Sequence, residues 1–202
     1  MKRAILSLCL IVAIATGNYA QNFVDTFVDT FDANSLGWTE MTIENEKGTV
    51  MIDKGTLTLK SKKDDGFLDT FCYAPLDVKK PFAVTANVRI NKLDGDRVCG
   101  LVFNYKDGGN FYSFNFNDDL VNFTRYVDNE KVGQIRKTIK WSKKKKLEQE
   151  WKLVYDGDVL SFYVDDMEIL KVRYMPLDYS GIGFYTFGKQ TLVVEDMTFT
   201  QN

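Results

Sequence analysis

The chain has 202 residues, 45% of them hydrophobic and 27% charged, with 26 basic against 28 acidic side chains and a formal net charge of -2. That length suits one domain with a sizeable core, and the acidic balance argues against a nucleic-acid partner, which selects a basic stripe. Histidine is absent from the whole sequence, which removes Ser-His-Asp and Cys-His triads and every histidine metal site.

In chain order, the first feature is a three-part leader. Lys2 and Arg3 form a positive start, Ala4 to Ala15 is an apolar run broken only by Ser7, and small residues lead to Ala20-Gln21. This is the layout of a secretory signal peptide. The run is shorter than the roughly 20 apolar residues that span a bilayer, so no transmembrane anchor is expected. A lipid anchor would need a cysteine just after the apolar run, and Cys9 lies inside it. Cleavage is expected after Ala20, with Gly17 as the second choice. That leaves a secreted or periplasmic single domain over residues 21–202, more acidic for the loss of Lys2 and Arg3. Cys72 and Cys99 remain. An oxidising compartment invites a disulfide between them. Both sit in segments that read as buried strands, so two free buried thiols are the other reading.

The body of the chain reads as strands. The echo of Val24-Asp-Thr-Phe27 in Val28-Asp-Thr-Phe31 is a strand's own alternation. Phe82, Val84, Ala86, Val88 and Ile90 fall on one face of a nine-residue segment, with Thr85, Asn87 and Arg89 on the other. Tyr112, Phe114 and Phe116 oppose Ser113, Asn115 and Asn117, and Leu160, Phe162 and Val164 share a side of 159–165. Period two over such lengths marks strands with one buried face. Asp-Gly at 65–66, 94–95, 107–108 and 156–157 supplies the positive φ of tight turns. The clearest hairpin joins Trp151–Tyr155 to Val159–Val164. Pro75, Pro81 and Pro176 all lie between strand candidates. About a dozen strands are expected, ending with Gly181–Phe187 and a segment from Thr191 through Phe199; Ser142–Glu150 reads as a helix or long loop. Many short strands imply a sandwich or barrel, and no long repeat suggests a propeller or solenoid.

Several segments resemble concanavalin A-like domains. They are Asp29-Thr-Phe31-Asp32 followed by Gly37-Trp38; Gly100-Leu-Val-Phe-Asn-Tyr105 with Asp107 and Asn110-Phe-Tyr112; and a Tyr-Asp-Gly-Asp hairpin followed by Gly181-Ile-Gly183-Phe184 and Val194-Glu-Asp196-Met-Thr-Phe199. The pattern is similar to the laminin-G-like and 3-keto-disaccharide-hydrolase-like branches of that superfamily. The resemblance implies an all-β, two-sheet antiparallel jelly-roll sandwich, and a face that in many members binds or cleaves glycans. Fold likeness alone does not assign an activity.

Hydrolytic relatives carry Glu-x-Asp-x-x-Glu or a close variant on a strand, and no such spacing occurs here. The nearest acidic cluster, Val164-Asp165-Asp166-Met167-Glu168, reads as a hairpin turn. Jelly rolls often hold structural calcium where first and last strands meet, which makes Asp29, Asp32 and Asp196 candidate ligands, although no cofactor is required. If the alternating apolar residues fill the core, their neighbours face outward. Asn87, Arg89, Asn104, Asn115, Asn117 and Arg125 are then candidate sugar contacts, with Tyr105, Tyr126, Tyr163 and Tyr185 nearby. An ordinary polar sheet face would look the same. Trp38, Trp141 and Trp151 read as core or edge packing. Lys140-Trp-Ser-Lys-Lys-Lys-Lys146 reads as a solvated loop, and the Asn122-Phe-Thr124 glycosylation sequon lies in a strand. The leading expectation is a secreted, non-catalytic glycan-binding protein. A glycoside or keto-sugar hydrolase with unrecognised carboxylates, and an interaction module of a surface assembly, are the alternatives.

Overall fold

The computed structural model describes residues 25–43, 48–91, 93, 95–117, 120–139 and 147–201. The leader and the lysine-rich run with Trp141 lie outside them. Fifteen strands form among the described residues: β1 (Asp25–Asp29), β2 (Met41–Ile43), β3 (Gly48–Asp53), β4 (Thr56–Ser61), β5 (Phe67–Tyr73), β6 (Phe82–Ile90), β7 (Val98–Asp107), β8 (Asn110–Asn117), β9 (Leu120–Val127), β10 (Glu130–Thr138), β11 (Leu147–Tyr155), β12 (Val159–Val164), β13 (Met167–Arg173), β14 (Gly181–Phe187) and β15 (Thr191–Gln201). They make two antiparallel sheets. The nine-stranded sheet runs β13-β12-β11-β6-β15-β4-β3-β2, with β1 also paired to β15; the six-stranded sheet runs β10-β9-β8-β7-β14-β5.

The predicted alternation sets the inner faces. Val84, Ala86, Val88 and Ile90 of β6 are buried beside Trp151 and Leu153 of β11 and Leu192, Val194, Met197 and Phe199 of β15. Cys99, Leu101 and Phe103 of β7, Tyr112, Phe114 and Phe116 of β8, and Ile182 and Phe184 of β14 face them from the other sheet. The sheets meet through stacked rings: Phe114 on Phe162 at 4.4 Å and Phe116 on Trp151 at 4.7 Å between centroids. Trp38 stacks at 6.0 Å on Phe184. Of the core and edge packing expected for the tryptophans, Trp38 and Trp151 take the core.

Turn chemistry explains the hairpins. Asp156-Gly157 joins β11 to β12, with Gly157 at φ +107°. Lys54-Gly55, Asp128-Asn129 and Asp165-Asp166 each place both central residues at positive φ. That is the twist-matched two-residue turn between antiparallel strands. The Asp165-Asp166 cluster is thus a turn, joining β12 to β13. The segment expected as a helix or long loop is corrected in part, because β11 begins at Leu147. Gln149 there occupies an inward position and accepts a bond from Trp151 Nε1 at 3.1 Å, so a polar side chain interrupts the apolar stripe without breaking the strand.

Cys72 and Cys99 are both free and buried. Register gives the reason. Cys72 pairs with Ile182 on one side of β14, and Cys99 pairs with Thr186 on the other, four residues along. Their Cα atoms are then ~16 Å apart by strand geometry, well past the ~7 Å that a disulfide can bridge.

Candidate functional site

The outward candidates from the sequence divide between two outer faces and the inner side of a sheet. Asn87, Arg89 and Tyr163 lie on the outer face of the nine-stranded sheet. Asn115, Asn117 and Tyr185 lie on the outer face of the six-stranded sheet. Asn104 and Arg125 do not face outward at all. Asn104 is 2% exposed. It occupies a bulge in β7, between Phe103 and Asp107, at φ +52°. Its amide donates to the carbonyls of Leu177 and Tyr179 and accepts from Leu177 N at 2.6 Å and Tyr174 Oη at 3.1 Å. Arg125 pairs with Tyr112 in register and so shares its inward phase, with the guanidinium carbon 5.4 Å from that ring's centroid. The extra residue of a bulge shifts the alternation. This is why Asn104 turns in and Tyr105 turns out.

The three calcium candidates do not converge. Asp29 is buried, and its carboxylate accepts from Phe31 N at 3.1 Å and from Trp38 Nε1 at 2.9 Å. It pairs with the inward-facing Met197, whereas Asp196 lies on the outer face and accepts both bonds from Asn87 Nδ2, at 3.0 and 3.1 Å. Asp32 is exposed and accepts from Thr30 Oγ1 at 2.9 Å. No grouping of three or more Cys, Asp or Glu with metal-binding geometry occurs among the described residues.

On the nine-stranded sheet, a bulge between Val194 and Asp196 brings Glu195 and Asp196 beside Asn87 and Arg89. An open cleft of about 420 Å³ lies here, lined by Asn87, Arg89, Glu148, Glu150, Asp165 and Glu195 among others. Two contacts lie within it: Arg89 Nε sits 2.7 Å from Glu195, and Asp165 accepts from Glu150 N at 2.9 Å. Burial first, with Asp165, Asp166 and Asp196 adding to it and Lys152 opposing, raises the Glu150 carboxyl above its ordinary value.

The six-stranded sheet presents a different surface. Register aligns Asp69, Tyr185, Gly100, Asn115, Asn122 and Arg136 across all six strands. Asn122 Nδ2 donates to Asn115 Oδ1 at 3.1 Å, and the Tyr185 hydroxyl bonds to Asn115 and Ser113. Beside this polar row runs a band of rings. Phe71 stacks on Tyr105 at 3.9 Å with planes 5° apart, Tyr105 lies 6.4 Å from Phe111, and Phe111 stacks on Tyr126 at 4.8 Å. Tyr73, 76% exposed, ends the band on β5. Two glycines make room for the rings. A Cβ on Gly183 would stand 2.3 Å from the Phe71 ring, and one on Gly100 would stand 2.6 Å from that of Tyr185. Burial, then the nearby charges of Asp69 and Asp107, raises the Tyr105 hydroxyl above its ordinary value. Burial raises the Asp69 carboxyl too, against an opposing backbone hydrogen bond.

Sequence reading missed Phe71, Phe111 and Asp69. The signal was present in their phase. Leu68, Thr70 and Cys72 point inward, so Asp69 and Phe71 point out; Phe111 likewise stands out of step with Tyr112, Phe114 and Phe116. An aromatic ring opposite its own strand's core stripe needs a reason to be there.

No protein-family model matches the chain, and no curated protein is similar in sequence. Solved structures are similar in fold. The carbohydrate-binding module CBM66 from Bacillus subtilis is 18% identical, over 79% of this chain and 94% of that one, with a TM-score of 0.51. A Bacillus licheniformis beta-glucanase is 11% identical, over 88% and 98%, with a TM-score of 0.62. The carbohydrate recognition domain of Emp47p is 12% identical, over 92% and 100%, also with a TM-score of 0.62. At these identities the likeness concerns architecture: the chain has the concanavalin A-like jelly-roll fold.

Proposed function

We propose that this chain is a secreted or periplasmic, non-catalytic glycan-binding protein whose ligand lies on the outer face of the six-stranded sheet. The observation that carries the reading is the band Phe71, Tyr105, Phe111 and Tyr126, with ring neighbours 3.9 to 6.4 Å apart on an outer surface. These rings are half-buried; the parts left open cost free energy in water and gain it when an apolar surface covers them. The C–H faces of pyranose rings are such a surface, and the adjoining amide, hydroxyl and guanidinium groups match sugar hydroxyls. The solved structures of this fold include a carbohydrate-binding module and a carbohydrate recognition domain, which is consistent with such a ligand.

The carboxylates on that face support binding without cleavage. Glycoside hydrolysis uses two of them flanking the bond, roughly 5–10 Å apart. Asp69 is the one acid in the polar row, and Asp107 Oδ1 at the β7–β8 turn accepts from Gly109 N at 2.9 Å and Asn110 Nδ2 at 3.1 Å. The test is a glycan array followed by calorimetry on the hits. Binding that survives with no released reducing ends supports the reading. Absence of binding at millimolar ligand contradicts it, and release of sugar contradicts the non-catalytic part.

A further inference from the structure

On the inner side of the six-stranded sheet, register carries one row from Ile182 on β14 through Phe103 and Tyr112 to Arg125 on β9 and Gly133 on β10. Ile182, Phe103 and Tyr112 are at most 3% exposed, so the row sets a cation next to core. Arginine stays charged at every ordinary pH, and a charge drawn partly out of water needs a partner. Arg89 and Arg97 have one each, in Glu195 and Asp64. Arg125 makes no ion pair among the described residues. Its Nε is closed off from solvent and donates to no acceptor. The side chain meets the Tyr112 ring, 5.4 Å from the guanidinium carbon, and the Tyr112 hydroxyl already donates to the Met175 carbonyl at 2.7 Å.

The guanidinium stands at a margin of the sandwich. β10 is the edge of the six-stranded sheet and β13 the edge of the other, and Lys137 Nζ of β10 donates to the Ile169 carbonyl of β13 at 2.8 Å. Opposite Arg125, just past a bulge, β10 presents Gly133, so no side chain from that position covers the arginine. Arg125 itself keeps part of its surface open. Ile135, two residues on and in the same inward phase, is 41% exposed, and Met175 is 53% exposed.

We propose that Arg125 anchors a binding site for an organic carboxylate at this margin. The planar guanidinium fork matches the two oxygens of a carboxylate, and such an anion supplies the charge that the chain does not. Ile135 and Met175 favour an anion with a carbon skeleton over an inorganic one, because covering them gains free energy. The site lies on the inner side of the sheet, apart from the outer face, and does not depend on a glycan binding there. A uronic acid and a free aliphatic acid share this chemistry, and the experiment separates them.

Thermal melts in about 50 mM sodium glucuronate, propionate or chloride compare the parent with Arg125→Met, Arg125→Lys and Gly133→Leu. At least one carboxylate is expected to raise the parent's midpoint about 3–5 °C above its value in chloride, the shift for a domain of this size at about ten times Kd. Arg125→Met should show no such rise, and Arg125→Lys, which lacks the fork, at most half of it. A Cβ on Gly133 has room, its nearest contact being Arg125 Cβ at 3.8 Å. Gly133→Leu should therefore fold and lose the rise, because its side chain covers the arginine. A larger effect of glucuronate than of propionate assigns an acidic sugar; an equal or smaller one assigns a free acid, and both support the site. An NMR titration of the parent with the same salts gives a readout free of any variant: the Arg125 Nε–H and the Gly133 amide should move with carboxylate and not with chloride. Equal parent midpoints in all three salts, equal protection of the parent and Arg125→Met, or stationary signals at Arg125 and Gly133 would overturn the proposal.

Discussion

Replacing Asn104 with alanine should be among the most damaging single changes outside the apolar core. Its amide donates to two carbonyls and accepts from Leu177 N and the buried Tyr174 hydroxyl. Alanine would leave those groups unpaired, at about 1–3 kcal/mol for each that stays away from water. It would also hold a side chain with no local hydrogen bond at φ +52°, which costs about 1–2 kcal/mol. Water reaches part of the loop at 175–180, so the expected total is about 4 kcal/mol. Asn104→Gly loses the same hydrogen bonds but tolerates the backbone, and should cost about 1 kcal/mol less than alanine. Urea unfolding of the three proteins measures both differences, provided the slope with denaturant stays constant. An alanine variant within about 0.5 kcal/mol of the parent, or one more stable than the glycine variant, would refute the bulge argument.

Cys72 and Cys99 should both react with a thiol reagent after unfolding without reductant and resist it when folded; a disulfide-linked peptide in the digest would contradict the register. Asp29→Ala should lower stability by about 2–4 kcal/mol, because it orphans the Trp38 indole N–H and the Phe31 amide; an unchanged denaturation midpoint would contradict that. The Asp69 effect depends on pH. Burial raises its folded value above the ordinary 3.8, so the folded state binds the proton more tightly than the unfolded one. The stability this contributes is fully present below 3.8 and is lost as pH rises through the folded value. Asp69→Asn should therefore be more stable than the parent at neutral pH and lose that advantage in acid, measured by thermal melts across pH; the opposite slope would show that the carboxylate is stabilised by a partner.

Much of the fold was legible because period-two patterning and turn chemistry are local. Phe82–Ile90 was readable to the residue, since β6 lies between β11 and β15 and buries one uninterrupted apolar face. The Asp165-Asp166 turn was readable because short acidic side chains accept positive φ. The candidate site was only half legible. Alternation separates inside from outside, yet it does not say which of two outer faces a residue joins. Asn87 and Asn115 looked equivalent, and they sit on opposite sides of the molecule. Asn104, expected outward, lies inward because one bulged residue reverses phase, and nothing local marks an asparagine as bulged. The ring band is assembled from four strands of the six-stranded sheet, and the order of strands in a sheet is a long-range property.

The most direct measurement of the central claim is an amide-resolved NMR titration of the folded protein with its best array ligand. The account expects shifts concentrated at Asp69, Phe71, Gly100, Tyr105, Phe111, Asn115, Asn122, Tyr126, Gly183 and Tyr185, continuous across the six-stranded sheet. Shifts centred instead on Asn87, Arg89, Glu150 and Glu195 would place the ligand in the cleft of the nine-stranded sheet and contradict it.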